Sequence, residues 1–350
     1  MLIDHQRLAE TVRKILTTAG SNADEAAIVA DHLVLANLSG HDSHGVGMIP
    51  NYMRNIQSGY LNPNQHAEKV RHDGSILVFD GKAGYGQVVA RDAMIEGINV
   101  SRETGVAIVA LRNAHHIGRV GTYGEQCADA GLVSLHFVNV TGHMPLVAPH
   151  PGADARFGTN PICISLPDTE NEPRIILDFA TSKVALGKMR VANNRGEQVA
   201  EGLLLDKDGN PTTDPGVMWE EEVGALLPIG EHKGYGLALM CELLSGAIGG
   251  GGTLQPENVR DTRIINNMLS IVIDPSRLTD PTYIAHEMKE MCDYVRQSPP
   301  RAGHDEVILP GDPERRHRRH RIENGIDVDD ETWRQIVEAA GEMGADITSI

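Results

Sequence analysis

Gly84-Tyr85-Gly86-Gln87-Val88-Val89 lies shortly after an apolar run, Ser75-Ile-Leu-Val-Phe79, and opens a helical pattern that continues over 88–103. The run reads as a strand, so strand, glycine turn and helix follow one another as in a dinucleotide-binding βαβ unit. Such a unit uses a third glycine to let its helix close on the strand. Here that position is Val89, and Asp80-Gly-Lys-Ala83 makes the connection long for the motif. We read 84–89 as a turn into a helix and expect no Rossmann phosphate loop. Gly249-Gly-Gly-Gly252 is a second possible cradle. It lacks the Gly-Lys-Ser/Thr ending of a P-loop and follows an apolar helical stretch over 236–247, so it reads as a helix C-terminal break.

Outward from this turn, Leu8, Val12 and Ile15, then Ala26, Val29, Leu33 and Ala36, recur at helical spacing. Ser21-Asn22 marks the break between two helices, and Asp24-Glu25 suits the first turn of the second. A short helix is expected over 51–58. Strands are expected over 106–111, 132–140, 163–166, 175–177 and 269–273, with helices over 122–130 and 331–343. The division that follows is an N-terminal helical part (1–72), a mixed α/β body for cofactor and substrate (73–304), and a segment returning to the helices (305–350). No fixed-period repeat is present.

The chain has 350 residues and a formal net charge of −17. A field of that sign repels phosphate backbones and argues against nucleic acid, while leaving room for a local cationic pocket. Hydrophobic residues at 41% and charged residues at 23% belong to an ordinary globular protein. Cys127, Cys163, Cys241 and Cys292 form no CxxC pair, so a reducing compartment is expected rather than a disulfide framework. The N-terminus lacks a basic region leading into an apolar one, and no apolar run approaches the roughly 20 residues of a bilayer span. We expect a soluble, cytoplasmic protein with no membrane partner.

Several loops carry chemistry. Gly40-His41-Asp42-Ser43-His44-Gly45 gathers two histidines, a hydroxyl and a carboxylate; it reads as an acid/base site or as a polar loop capping the second helix. Asn113-Ala-His115-His116-Ile-Gly118-Arg119-Val120-Gly121 stands between strand and helix, where glycines and a helix N-terminus favour an anion. His116 is a second acid/base candidate, with a metal or a plain polar loop as the other readings. Leu177-Asp178-Phe179-Ala180-Thr181-Ser182 offers ribose or substrate contacts, or a helix cap. Lys233, in Glu231-His-Lys-Gly234, suits a phosphate or carboxylate, or simply solvent. Arg315-Arg-His-Arg-Arg-His-Arg321 reads as a solvated basic face or a cofactor-phosphate contact.

Taken in order, His41-Asp-Ser-His-Gly45, Asn113-Ala-His-His-Ile-Gly118, Phe157-Gly-Thr-Asn-Pro161, Leu177-Asp-Phe-Ala-Thr-Ser182, Glu231-His-Lys-Gly234 and Leu309-Pro-Gly311 resemble the type-2 malate/L-lactate dehydrogenases. Each motif is weak singly; the ordered set spans nearly the whole chain and is strong. Gly45-Val-Gly-Met-Ile-Pro50 and His116-Ile-Gly-Arg-Val-Gly121 look most like the hydroxycarboxylate dehydrogenase B branch.

The resemblance implies an α+β, non-Rossmann NAD(P)-binding fold: a mixed-sheet cofactor domain beside a helical domain built from both termini. It implies a homodimer, no metal, NAD or NADP as cofactor, and a small 2-oxo or 2-hydroxy acid as substrate. Cyclic imines or ureidoglycolate-type substrates are the alternative on the same fold. By motif match, His44 donates the proton or lies beside the nicotinamide, Ser43 supports it, and His116 lines the substrate pocket. The cofactor would touch Gly118, Arg119 and Val120, and Ile176, Leu177, Asp178, Phe179 and Ala180. His232, Lys233 and Asn266, with Gly311, Asp312, Pro313 and Glu314, complete that set. Thr159, Met48 and Lys188 fall to the substrate.

Two departures matter. Many relatives carry an arginine four residues after the motif histidine, where it grips a carboxylate bidentately; here that position is Met48. Some imine-reducing relatives carry an aspartate in a relay with Ser-His; the matching region here reads Gly187-Lys188, which argues against that relay. A metal-dependent hydrolase is a weaker alternative, since HExxH and any close Cys/His set are absent. A non-catalytic ligand-binding protein is favoured by Met48 alone.

Overall fold

The computed structural model describes residues 1–219, 223–258 and 263–347. Its centre is a seven-stranded sheet ordered Glu68–Asp73, Ile76–Asp80, Val106–His115, Ile265–Ile273, Val133–Thr141, Ile162–Leu166, Ile175–Phe179. Ile76–Asp80 runs parallel to Val106–His115, joined by the crossover helix Gly86–Thr104 that a parallel pair requires. The other neighbours are antiparallel. The late strand Ile265–Ile273 is almost continuously buried, with a strand on each side and apolar matter on its faces. Helices Gly86–Thr104 and Gly121–Asp129 seal one core with Leu77, Phe79, Val89, Ala93, Val109 and Met268.

The turn at 84–89 shows why its glycines are there. The Gly84 carbonyl accepts the His115 N–H at 3.0 Å, and a Cβ on Gly86 would lie 2.2 Å from the His115 carbonyl oxygen and 2.5 Å from that of His116. Gly86 thus lets the helix start directly on the backbone carrying His115 and His116. Gly86→Ala must push those carbonyls away; we expect a loss of about 1–3 kcal/mol in the urea-unfolding free energy. An unchanged midpoint would refute that close seat.

Helices His5–Thr18, Ala23–Leu38 and Ile49–Gln57 share a second core with Asp330–Glu342 from the other end of the chain, through Leu8, Ile15, Leu33, Tyr52, Ile336 and Ala340. Asp4 accepts from the N–H groups of Gln6 and Arg7, and Asn22 from that of Glu25, capping the first two helices. Leu2–Ile3 pairs with Ile326–Asp327, which ties the termini together. Elements without a sequence expectation include the strand Glu68–Asp73, helices Leu186–Asn194 and Pro281–Arg296, and a small sheet of Leu204–Leu205, Pro211–Thr212 and Ala225–Leu226. The apolar helix expected over 236–247 starts earlier, as His232–Cys241, and continues as a π-helix over Glu242–Ile248.

The basic run is solvated on one side and engaged on the other. It forms helix Asp312–Asn324, and Arg315, Arg318 and Arg321, spaced along one face, are held by the protein itself. Arg315 bonds the Arg174 carbonyl at 2.8 Å, Arg318 bonds Ser39 at 2.8 Å and pairs with Glu125, and Arg321 grips Asp42 with both terminal nitrogens. That face is a clamp onto the helical body, while Arg316, His317, Arg319 and His320 are exposed, the solvated basic face expected.

Candidate active site

A cavity of about 1080 Å³ opens where the two cores meet. The turn Asp42–His44 forms one wall. Asn37, at the end of helix Ala23–Leu38, holds this turn by accepting the Val46 N–H at 2.9 Å and donating to Asp42 at 2.7 Å. Asp42 is further engaged by Arg321, and His41 pairs with Glu314 at 3.1 Å. Gly40 to His44 all line the cavity, and His41 and Asp42 in addition brace the loop through Glu314 and Arg321.

His116 reaches the same place from the loop after Val106–His115. Asn266 bonds the Ile117 N–H at 3.0 Å and the Asn139 carbonyl at 3.1 Å, which anchors that loop to the sheet. The rings of His44 and His116 lie nearly parallel at 13°, with His44 Nδ1 3.2 Å from His116 Nε2. Behind them, the Tyr52 hydroxyl is 2.7 Å from His116 Nδ1, and Gln87 Nε2 donates to that hydroxyl at 2.6 Å. Burial, with His41 and Arg119 adding, lowers His44 from 6.5 to about 4; burial and the neighbouring histidines push His116 well below its ordinary range. Both imidazoles are neutral near pH 7.

Gly118, Arg119 and Val120 line the cavity as well. Gly118 adopts φ 73° beside His32, whose Nε2 accepts the Arg119 N–H at 3.0 Å. The Arg119 side chain is fully buried, 3.0 Å from Glu125 and 3.6 Å from Asp178. Burial opposes its charge, but Glu125 and Asp178 more than offset this and keep it cationic. Its Nε and Nη2 make no hydrogen bond: Nε lies 3.6 Å from Asp178 and Nη2 packs beside Gly121. Asp178 accepts the Gly121 N–H at 2.8 Å, so it caps helix Gly121–Asp129 as well as facing Arg119.

Other expected residues divide by position. Leu177, Phe179, Ala180, Pro313 and Glu314 line the cavity, as do Thr159 and Lys188. Ile176 is instead in the sheet core, Asn266 is buried beneath the loop, and Met48 packs on the helical core. His232 lies by His150, with Lys233 next to it at the start of helix His232–Cys241. Gly311 and Asp312 shape the start of the arginine-rich helix, where Asp312 accepts the Leu309 N–H at 2.8 Å. Gly187 meets Ser43: a Cβ there would be 3.1 Å from the serine Cβ, so no carboxylate occupies the place of the relay aspartate.

Sequence reasoning missed Tyr52, Gln87, His32, Lys183 and Arg190. Gln87 did leave a signal, a polar side chain beside Val88, Val89 and Ala90 in a helix that must bury that end. Lys183 and Arg190 carried none, because only folding brings them to the cavity wall beside Lys188.

The malate/L-lactate dehydrogenase family model matches residues 3–337. The chain belongs to that family. It is 45% identical to hydroxycarboxylate dehydrogenase B of Escherichia coli (strain K12), over 97% of this chain and 94% of that protein. It is 39% identical to L-lactate dehydrogenase of Cupriavidus necator, covering 95% of each. A solved structure from E. coli superposes with a TM-score of 0.95 at 44% identity, covering 99% of this chain and 96% of that one.

Proposed function

We propose that the protein is an NAD(P)H-dependent dehydrogenase interconverting a 2-oxo acid and a 2-hydroxy acid, with His44 handling the proton. The observation that carries this reading is His44 on the wall of a cavity that Gly118, Arg119 and Val120 also line, with His116 3.2 Å behind it. The cavity reaches the upper end of the roughly 300–1,000 Å³ usual for cofactor and ligand sites, enough for a dinucleotide and a small acid.

When bound, the nicotinamide supplies the hydride. Arg119, with Gly118 and Val120, would hold the phosphates, and Leu177 to Ala180, Pro313 and Glu314 would line the rest of the dinucleotide. This is binding without a Rossmann fold, a reading supported by the largely antiparallel sheet and by the 84–89 turn seating 115–116. With the basic helix face engaged and Glu314 on the cavity wall, NADH is favoured over NADPH. Lys188 and Arg190, on helix Leu186–Asn194 beside Ser43, take the carboxylate-gripping role that Met48 leaves open. Ser43 and Thr159 would orient the carbonyl. His44 donates the proton that the reduced oxygen needs, and takes it back in oxidation.

The segments 1–72, 73–304 and 305–350 are the matching division of labour. Four buried free cysteines support a reducing, cytoplasmic setting, and exposed Leu237, Met240 and Ile248 support a second copy of the chain as partner.

The test is nicotinamide absorbance with NADH or NADPH against glyoxylate, hydroxypyruvate, oxaloacetate and phenylpyruvate, with and without chelator. We expect chelator-insensitive oxidation of NADH with at least one acid. Folded protein that binds cofactor but oxidises it with none of them would refute the 2-oxo acid reading.

A further inference from the structure

Four elements converge behind the cavity: the turn Asp42–His44, helix Ile49–Gln57, helix Gly86–Thr104 and the loop after Val106–His115. They deliver an unbroken line, Gln87–Tyr52–His116–His44, with steps of 2.6, 2.7 and 3.2 Å. Tyr52 and Gln87 are fully buried and touch neither end of the cavity, yet nothing about filling space calls for a hydroxyl and a carboxamide there.

We infer that Tyr52 and Gln87 are positioning residues which select the tautomers of His116 and His44, and so decide whether His44 can work as an acid and base. The inference rests on the proton role proposed above for His44.

Counting donors makes the case. Gln87 gives an N–H to Tyr52, so the single hydroxyl proton goes to His116 Nδ1. Neutral His116 then carries its proton on Nε2 and donates it to His44 Nδ1, leaving His44 with its own proton on Nε2. In that state His44 can neither accept a proton at Nε2 nor release one without becoming an imidazolate. Gln87 Oε1, meanwhile, is buried without a partner.

Turning the carboxamide by 180° exchanges oxygen and nitrogen within the same envelope and reverses every bond. Gln87 Oε1 accepts from Tyr52, Tyr52 accepts from His116 Nδ1–H, and His116 Nε2 accepts from His44 Nδ1–H. His44 Nε2 is then free to bind a proton. Reduction balances: a bound dihydronicotinamide would supply the hydride that C2 receives, His44 takes up a proton from solvent at the free Nε2 and passes it to the oxygen, and it ends neutral. Oxidation is the reverse. A carboxamide is suited to this because it terminates either direction.

The surroundings make the line necessary. The titratable or charged groups facing the pair are His41 on the same turn, His32 on helix Ala23–Leu38, His115 and Arg119 on the loop, and His143. Three carboxylates on the same cavity, Asp42, Asp178 and Glu314, are each engaged by another group, Arg321, Arg119 and His41. Support for a proton on His44 must therefore come from oriented dipoles, and the reversed line points acceptors toward it from three successive groups.

Gln87→Leu leaves the Tyr52 proton only His116 Nδ1 as a partner and locks the unproductive direction. We expect kcat for 2-oxo acid reduction to fall about tenfold or more, with cofactor KM within about twofold. Adding Tyr52→Phe removes the lock, so the double variant should recover to the level of Tyr52→Phe alone. Purely structural roles would instead give additive losses, and that result would overturn the inference. The independent readout is 15N NMR of the histidines in cofactor-free protein: Gln87→Leu should hold His116 in the Nε2–H form and lower the His44 titration midpoint. Unchanged tautomers and midpoint in both single variants would equally overturn it. Absence of turnover in the wild type would refute the proposed reaction, while the NMR result would still decide the relay.

Discussion

Replacing His44 by Ala lowers kcat for 2-oxo acid reduction about 10²–10⁴-fold, while the cofactor Kd changes by no more than about twofold. The loss corresponds to about 3–5 kcal/mol of transition-state stabilisation, since each 1.36 kcal/mol is tenfold. His44 is singled out because it is the member of the buried line that reaches the cavity: His116, 8% exposed, meets that space through His44. In the reading proposed above the phosphates are held by Gly118, Arg119 and Val120 rather than by His44, so cofactor binding should be spared. Stopped-flow absorbance for turnover and calorimetric titration for Kd separate the two effects. Turnover equal to that of the wild type would remove His44 from the mechanism and leave His116 as the acid/base group.

The second large effect is acid sensitivity. His32, His115 and His136 are buried, and burial pushes them from 6.5 to about 3, about 4 and about 3 respectively, with Arg119 and His44 adding to the effect at His32. His136 is held by Ser134 at 2.8 Å and Ser270 at 2.7 Å, while both ring nitrogens of His115 lack a partner. Below pH 6.5 the unfolded chain binds these protons and the native protein does not. Stability is therefore full above about pH 6.5 and is lost as pH falls toward 4 and then 3. Each residue accounts for about 3–5 kcal/mol over that window, so three together rival the ~5–15 kcal/mol that holds a typical domain folded. Glu25, Asp178 and Glu242, raised mainly by burial, take up protons earlier in the native state and offset part of the loss. We expect urea midpoints to drop steeply between pH 6 and 4, and His115→Leu to soften the drop. A midpoint flat from pH 7 to 5 would mean these imidazoles are not held neutral.

Periodicity located most of the regular elements, because a helix or strand with one buried face writes its period into the chain. Thus 106–111 marked the strand Val106–His115, and 331–343 marked helix Asp330–Glu342. Helix Asp312–Asn324 escaped that logic. Its inward face is arginine, so hydrophobic spacing could not reveal it, and its stabilising partners Asp42 and Glu125 are 279 and 193 residues away. Pro281–Arg296 leaves Tyr283, Met291 and Tyr294 exposed, and with one fully buried residue it gave little pattern to read.

By itself, the amino-acid sequence determined the family, the helical termini around a mixed sheet, and the loops on which His44, His116 and Arg119 stand. Those are properties of local spacing and of motif order. Tertiary structure alone decided that Ile265–Ile273 inserts between Val106–His115 and Val133–Thr141, that Asp42 is gripped by Arg321 while His44 meets His116, and that Gln87 reaches His116 through Tyr52. The reason is physical. A hydrogen bond or ion pair depends on directions and distances to within a few tenths of an ångström, and the packing of elements far apart in the chain sets these, not any pattern carried within one of them.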